Sequence, residues 1–177
     1  MKVALLALAS FAVFAIATPI VPRADSGTII ENFMDLTEQA RSLAKTVDGL
    51  NPLTALGGGL TVLDGLQNMV NTASETALNV ASPPQTVFSD GAAAGVFDFI
   101  ALYVRGFQDL LEALNEKEMT LYFYKAGIAS RLMQLGREFD NINTGLIPLI
   151  AKEADAVGRQ FMEISRSLNA TVAVYST

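Results

Sequence analysis

The chain has 177 residues and a formal net charge of −6, and it contains no cysteine, histidine or tryptophan. These absences exclude disulfide bonds, metal sites built from histidine or cysteine, and serine–histidine or cysteine–histidine nucleophiles. The acidic balance also argues against nucleic acid as a partner.

The first 17 residues are typical of a secretory signal peptide. Lys2 gives a short basic start, residues 3–17 are apolar apart from Ser10, and Ala15 and Ala17 are the small residues that a signal peptidase needs. The apolar run is too short to span a bilayer comfortably, so no transmembrane segment is predicted. Residues 18–24 form a short linker or a pro-segment, and residues 25–177 form the helical bundle domain. The protein is therefore expected to be secreted, either extracellular or in a cell wall.

The mature domain begins with two predicted helices. Apolar residues recur in alternating steps of four and three, which is the spacing of one helix face. In the first helix this inward stripe is Ile29, Phe33, Leu36, Ala40, Leu43, Val47 and Leu50. No segment alternates convincingly with the period of a strand. Ser26 or Thr28 is expected to cap the first helix, and residues 51–52 end it at a proline. The glycine run at residues 57–59 is interpreted as a flexible joint before a second helix, which stops at residues 82–84.

The segment from Asp90 to Leu114 is apolar around most of its circumference, with its charges confined to one narrow stripe. A helix of this kind needs more than one neighbour to cover it, so we place it at the centre of the domain. Two more helices follow, separated by a turn at residues 141–145, with Pro148 expected in a first helical turn. The inward stripe of the fourth helix is Leu121, Tyr124, Ile128, Leu132, Leu135, Phe139 and Ile142. The predicted fold class is all-α, a single bundle of about five amphipathic helices.

Several glycines interrupt strong helical patterns, at a cost of roughly 1 kcal/mol each relative to alanine. They are Gly65, Gly106, Gly127, Gly136 and Gly158. Glycine either lets two helices approach closely or leaves space for a ligand, and close packing is the commoner reason. Many phenylalanines and methionines keep the second explanation open, because soft apolar walls suit flexible ligands.

A cysteine-free domain behind a signal peptide, opening with TIIENFMDLT at residues 28–37 and continuing with LAKTVDGL at residues 43–50, resembles the fungal hydrophobic surface-binding protein A / cell-wall galactomannoprotein family. The small polar second helix and the two long closing helices fit this family, whereas the glycine-rich residues 57–59 and 91–95 depart from it. The resemblance implies a secreted, non-enzymatic, all-helical protein of the fungal cell wall. Such proteins adhere to hydrophobic surfaces and in some cases hold a fatty acid inside the bundle.

An acyl chain inside a bundle needs apolar walls along its length and one polar group for its carboxylate. The candidate pocket residues are Phe97, Ile100, Tyr103, Val104, Phe107, Tyr124, Ile128, Leu132, Val157 and Phe161. For the carboxylate, the hydroxyl of Tyr103 or Tyr124 is preferred to a buried base, because an unpaired cation in the empty bundle would cost far more than a hydroxyl. The same residues would serve equally in an ordinary five-helix core, and this alternative stays open.

No catalytic residue, metal site or cofactor is predicted, because nothing places two carboxylates in a cleft. Asn169 begins the only N-glycosylation sequon, on a predicted helix. The sequence thus predicts a secreted, non-enzymatic protein that binds hydrophobic surfaces or carries a lipid or fatty acid. The alternative is a structural cell-wall mannoprotein without a small-molecule ligand. A cell-wall polysaccharide and a co-secreted hydrolase are the other partners considered.

Overall fold

A computed structural model describes residues 25–82 and 86–176 and shows five α-helices. They are α1 (Ser26–Asp48), α2 (Ala55–Ala81), α3 (Asp90–Glu116), α4 (Lys125–Leu146) and α5 (Ala154–Tyr175). Short 3-10 helices at Tyr122–Tyr124 and Ile147–Leu149 flank α4. The predicted all-α class and the number of helices are confirmed. The predicted signal peptide and the linker at residues 18–24 lie outside the described residues.

The helices form a closed ring, in which each helix lies against two neighbours. The order around the ring is α3, α1, α2, α4 and α5, and α5 returns to α3. The prediction that the third helix is central is therefore wrong. Its wide apolar face has another cause, because Val96, Tyr103 and Leu110 are fully buried in the shared interior as well. α3 thus covers both the interior and the seams with its two neighbours.

The directions of the helices define two ends of the ring. α1 and α3 run in the same direction, because Ile30 lies beside Gly95 and Arg41 lies beside Gly106. Side-chain hydrogen bonds at two levels show that α5 also runs parallel to α3. α2 returns antiparallel to α1, α4 runs parallel to α2, and α5 is antiparallel to α4. We call the end with the connections α1–α2 and α3–α4 the cap end, and the opposite end the crossover end.

Two helix boundaries differ from the sequence prediction. Asp25, rather than Ser26 or Thr28, caps α1, and its carboxylate accepts a hydrogen bond of 2.7 Å from the backbone N–H of Thr28. This bond also lowers the pKa of Asp25. The predicted turn at residues 141–145 is helical, because buried Ile142 and Leu146 continue the inward stripe of α4. Pro148 lies in the first turn of the 3-10 helix after α4, in agreement with the expected first-turn position.

The glycine run at residues 57–59 lies inside α2, so its interpretation as a flexible joint is wrong. A Cβ atom at Gly59 would lie 2.2 Å from the ring of Tyr124, and one at Gly58 would lie 2.1 Å from the side chain of Leu50. These two glycines therefore let the chain segments of the cap end approach the backbone of α2. No helix in the described ranges combines the length and apolar character needed to cross a bilayer.

The glycines further along the helices have mixed surroundings. A Cβ at Gly65 would lie 2.7 Å from Leu43, and one at Gly127 would lie 2.9 Å from Leu63. At these two positions glycine allows neighbouring helices to pack closely. A Cβ at Gly158 would have no neighbour within 4 Å, so close packing does not explain that glycine.

The glycine run offers a matched pair of substitutions. Gly57→Ala should raise the free energy of unfolding by about 1 kcal/mol, because this position faces open space and alanine is the better helix former. Gly59→Ala should lower it by roughly 1–3 kcal/mol, because the new methyl group overlaps the ring of Tyr124. Urea unfolding followed by far-ultraviolet circular dichroism measures both changes. Equal stabilisation by the two alanines would contradict the packing of Tyr124 on Gly59.

Candidate functional site

Aromatic rings from four helices meet in the interior of the ring of helices. We call Phe33 of α1, Tyr103 and Phe107 of α3, Phe139 of α4 and Phe161 of α5 the aromatic cluster. Contacting ring centroids lie between 5.5 and 6.5 Å apart, in stacked, tilted and edge-to-face arrangements. All the rings are buried. The cluster joins helices that are distant in sequence, and aromatic pairs in these geometries are favourable beyond the area that they bury.

The wall contributed by α2 has a different character, because this helix contains no aromatic residue. Its buried side chains from the middle toward the C-terminus include Leu66 and Val70, beside Met69, Ala73, Thr76 and Ala77. Alanine occupies little volume, and methionine changes conformation at low cost. Of the walls of the interior, the α2 wall is therefore the one best able to adjust to an additional occupant.

The hydroxyl of Tyr103 is buried and has no hydrogen-bond partner among the described residues. The ring is held in place by Phe107, stacked at 5.6 Å, and by Phe139, edge-on at 5.6 Å. An unpaired buried hydroxyl costs about 1–3 kcal/mol. Burial also raises the pKa of Tyr103 well above its ordinary value, so the hydroxyl remains a neutral donor at physiological pH. An acceptor atom placed here would relieve that cost.

Other unpartnered polar atoms in the described chain have a weaker claim to a ligand. They belong to Asn32, Gln39 and Asn143, whose side chains are only partly buried. Rotation of Asn32 or Asn143 toward water would satisfy their atoms, and Gln39 is already engaged through its Nε2, which donates to Thr72 at 3.0 Å. Tyr103 is fully enclosed, so rotation of its side chain cannot bring the hydroxyl into contact with water.

The other tyrosine predicted to receive a carboxylate lies at the cap end. The Tyr124 hydroxyl donates a hydrogen bond to the backbone carbonyl of Leu56, and its ring packs on Gly59. Tyr175 is likewise engaged, since its hydroxyl donates to the carbonyl of Leu114. Of these three tyrosines, only Tyr103 has a hydroxyl without a hydrogen-bond partner among the described residues.

The remaining predicted pocket residues occupy the same interior. Fully or almost fully buried among them are Ile100, Val104, Ile128, Leu132 and Val157. Phe97 is partly buried and packs against the core, whereas Phe107 and Phe161 join Tyr103 in the aromatic cluster. Together they form one continuous cluster of core side chains, so an acyl chain would have to displace some of them.

Two members of the aromatic cluster, Phe33 and Phe139, were not among the predicted pocket residues. Both contact the ring of Tyr103, and both lie on inward stripes that the apolar spacing of their helices identified. The spacing gives the inward face of each helix, but it does not say which helices meet across the interior. That information was available only from the arrangement of the ring.

No protein-family model and no curated protein sequence matches this chain. Among solved structures, AfMP4p in complex with palmitic acid shares the fold with a TM-score of 0.68 and 14% sequence identity, over 85% of this chain and 99% of that one. Ligand binding domain 1 of the Penicillium marneffei MP1 protein, complexed with arachidonic acids, has a TM-score of 0.57 and 11% sequence identity, over 84% of this chain and 99% of that one. Ligand binding domain 2 of the same protein, complexed with multiple arachidonic acids, has a TM-score of 0.59 and 10% sequence identity, over 86% of this chain and 96% of that one.

These likenesses establish a shared fold. At such low identity they do not show that the side chains of the interior are shared. The five-helix arrangement is thus common to this chain and to domains solved with fatty acids, while the chemistry of this chain's interior has to be argued from its own residues.

Proposed function

We propose that this chain is a secreted, non-enzymatic protein that carries a fatty acid in the interior of its helical bundle. The observation that carries the proposal is the buried hydroxyl of Tyr103, a donor without an acceptor inside an aromatic cluster. The complexes of AfMP4p and of the two MP1 domains with palmitic or arachidonic acid support it, because those domains share this fold. The signal-peptide pattern at residues 1–17 supports secretion, and the family resemblance supports a location at the fungal cell wall and contact with hydrophobic surfaces.

Tyr103 suits a carboxylate that has to be bound and released. A hydrogen bond to a charged acceptor contributes about 1.5–3 kcal/mol, more than one between neutral groups. When the site is empty, a neutral hydroxyl costs far less than an unpaired lysine or arginine would. Each buried CH₂ group of the acyl chain contributes about 0.8 kcal/mol, which offsets the displacement of core side chains. The adjustable wall of α2 is where we place that displacement.

Direct measurement of uptake tests the proposal. The secreted protein is stripped of lipid and titrated with palmitate below its micelle concentration, with native mass spectrometry and calorimetry as readouts. We expect a defined number of bound molecules, and a stabilisation of about 2.7 kcal/mol at a hundredfold excess over the dissociation constant. Palmitate methyl ester, which lacks the charged acceptor, should bind more weakly. Absence of uptake together with unchanged stability would refute the proposal.

A structural cell-wall mannoprotein without a ligand is the second candidate. The continuous packed core favours it, since the bundle in this conformation is complete without an occupant. Asn169 is exposed on α5, and Thr171 of the same sequon is buried and accepts a hydrogen bond from Asn115 at 3.1 Å. Glycosylation at Asn169 would therefore have to precede folding. A glycan at Asn169 in secreted protein that takes up no palmitate would favour this candidate, with cell-wall polysaccharide or a co-secreted hydrolase as partners.

A further inference from the structure

The cap end of the bundle exposes large apolar side chains. They are Leu53 (96% exposed), Phe123 (82%), Met119 (79%), Leu56 (69%) and Tyr122 (59%), and we call them the apolar end. The first four are the most exposed large apolar side chains of the described residues. Single exposed apolar residues are ordinary, but a concentration at one end of a molecule marks an interaction surface.

The apolar end is one surface, although two separate segments of the chain contribute to it. A cleft of about 370 Å³ lies between the two segments, and Pro52, Leu56, Met119, Phe123 and Tyr124 are among the residues that line it. The rings of Tyr122 and Phe123 contact each other edge-on, with centroids 5.7 Å apart. Leu56, Met119 and Phe123 are thus neighbours around the cleft, Tyr122 contacts Phe123, and Leu53 directly follows Pro52 of the lining.

The connection that carries Met119, Tyr122 and Phe123 is fastened to the rest of the bundle. The Lys117 ammonium donates to the backbone carbonyl of Leu50 at 3.0 Å, and Lys125 forms an ion pair with Glu118. The hydrogen bond from Tyr124 to Leu56 ties the connection to α2, and Leu121 is fully buried beneath it. The apolar side chains are therefore presented outward by an ordered segment, and leaving apolar surface in water is unfavourable.

The charge around this surface identifies its partner. None of the five is an acidic or basic residue, Lys125 beside them is paired with Glu118, and the ammonium of Lys117 donates to the carbonyl of Leu50. The chain as a whole carries a net charge of −6, so an anionic surface would repel it. A partner that matches the apolar end is itself apolar and carries no net charge.

We infer that the apolar end docks onto a lipid layer without net charge, with Leu53, Met119 and Phe123 entering the acyl region and Tyr122 at the headgroup boundary. Aromatic and aliphatic side chains at an interface bind in proportion to the apolar area that they bury, and tyrosine favours the boundary itself. This inference deepens the proposed function, and it rests on that function only for the identity of the cargo. Docking would bring the bundle to the layer in which a poorly soluble fatty acid resides.

Co-flotation with phosphatidylcholine vesicles tests the inference on the full secreted protein. We expect binding to these vesicles, no gain when anionic lipid is added at low salt, and at least a tenfold loss in the double variant Leu53→Glu/Phe123→Glu. The matched control is Leu78→Glu/Met162→Glu, which places the same charges on apolar side chains that are 67% and 61% exposed on other surfaces. The control should bind like the unmodified protein.

Several results would overturn docking on lipid. One is absence of vesicle binding by the unmodified protein, and another is an equal loss of vesicle binding in the two double variants. A third is a dimer, detected by sedimentation, that the Leu53/Phe123 double variant abolishes. That result would make the apolar end a contact between two copies of the chain. Circular dichroism verifies that both variants are folded.

A measurement of palmitate uptake in the absence of vesicles separates this inference from the proposed function. Uptake without vesicle binding removes docking alone, and vesicle binding without uptake removes the fatty-acid carrier alone.

Discussion

Replacement of Tyr103 by phenylalanine should make the ligand-free protein more stable and its binding of palmitate weaker. The substitution removes a buried hydroxyl without a partner and leaves the ring contacts with Phe107 and Phe139 intact. Relief of the unpaired donor should raise the free energy of unfolding by about 1–3 kcal/mol. Loss of a hydrogen bond to a carboxylate, about 1.5–3 kcal/mol, should weaken palmitate binding by roughly 10- to 100-fold. Urea unfolding and calorimetric titration measure the two effects.

Tyr175→Phe is the matched control for this experiment. The hydroxyl of Tyr175 donates to the backbone carbonyl of Leu114, which also accepts the backbone N–H of Lys117 at 3.1 Å, so the substitution removes one hydrogen bond without leaving the acceptor unpaired. This variant should be less stable than the unmodified protein, by about 0.5–1.5 kcal/mol, and should bind palmitate normally. If Tyr103→Phe lowered stability as Tyr175→Phe does, the Tyr103 hydroxyl would have a partner within the folded chain, and its assignment to the carboxylate would fall.

Phe139→Ala should lower the free energy of unfolding by about 3–5 kcal/mol, because a fully buried ring is lost and a cavity remains. The ring of Phe139 contacts Tyr103, Phe107 and Phe161, so the cavity would open in the middle of the aromatic cluster. If this interior receives acyl chains, palmitate should fill that cavity and restore more stability in Phe139→Ala than it adds to the unmodified protein.

The measurement is urea unfolding with and without saturating palmitate, and Met133→Ala is the control. Met133 is an exposed side chain on the same helix, and its replacement should change stability by no more than about 0.5 kcal/mol. Equal stabilisation of Phe139→Ala and of the unmodified protein by palmitate would place the ligand away from the aromatic cluster.

The sequence predicts the inward face of each helix well, because burial and helical spacing are coupled in every turn. In α1, for example, the predicted inward stripe from Ile29 to Leu50 is buried throughout. Local spacing contains no information on which helices become neighbours. The ring order is set by the two connections that pass over a neighbouring helix, and for this reason α3 was wrongly placed at the centre and Phe33 was missed as a contact of Tyr103.

The cap end was the least predictable part of the fold. Three consecutive glycines have low helix propensity and suggested a joint, but tertiary contacts with Leu50 and Tyr124 require two of them inside α2. Tyr124 lay on the inward stripe of the fourth helix, and its use as a fastening to Leu56 depends on the path of the α3–α4 connection. Exposure of Leu53 and Phe123 likewise follows from the paths of the α1–α2 and α3–α4 connections, since residues outside α-helices have no periodic signal of burial.

An odd number of helices cannot cancel its own dipoles. α1, α3 and α5 point their C-termini toward the cap end and α2 and α4 point their N-termini there, so one helix dipole, equivalent to about half an elementary charge, stays uncompensated. The backbone alone would make the cap end slightly negative and the crossover end slightly positive. At the N-termini of α1, α3 and α5, however, the carboxylates of Asp25, Asp90, Glu153 and Asp155 outnumber the ammonium of Lys152, so side-chain charge outweighs this half charge at the crossover end. The position of a fatty-acid carboxylate in the interior would then depend on the local hydrogen bond from Tyr103 rather than on the field of the helices.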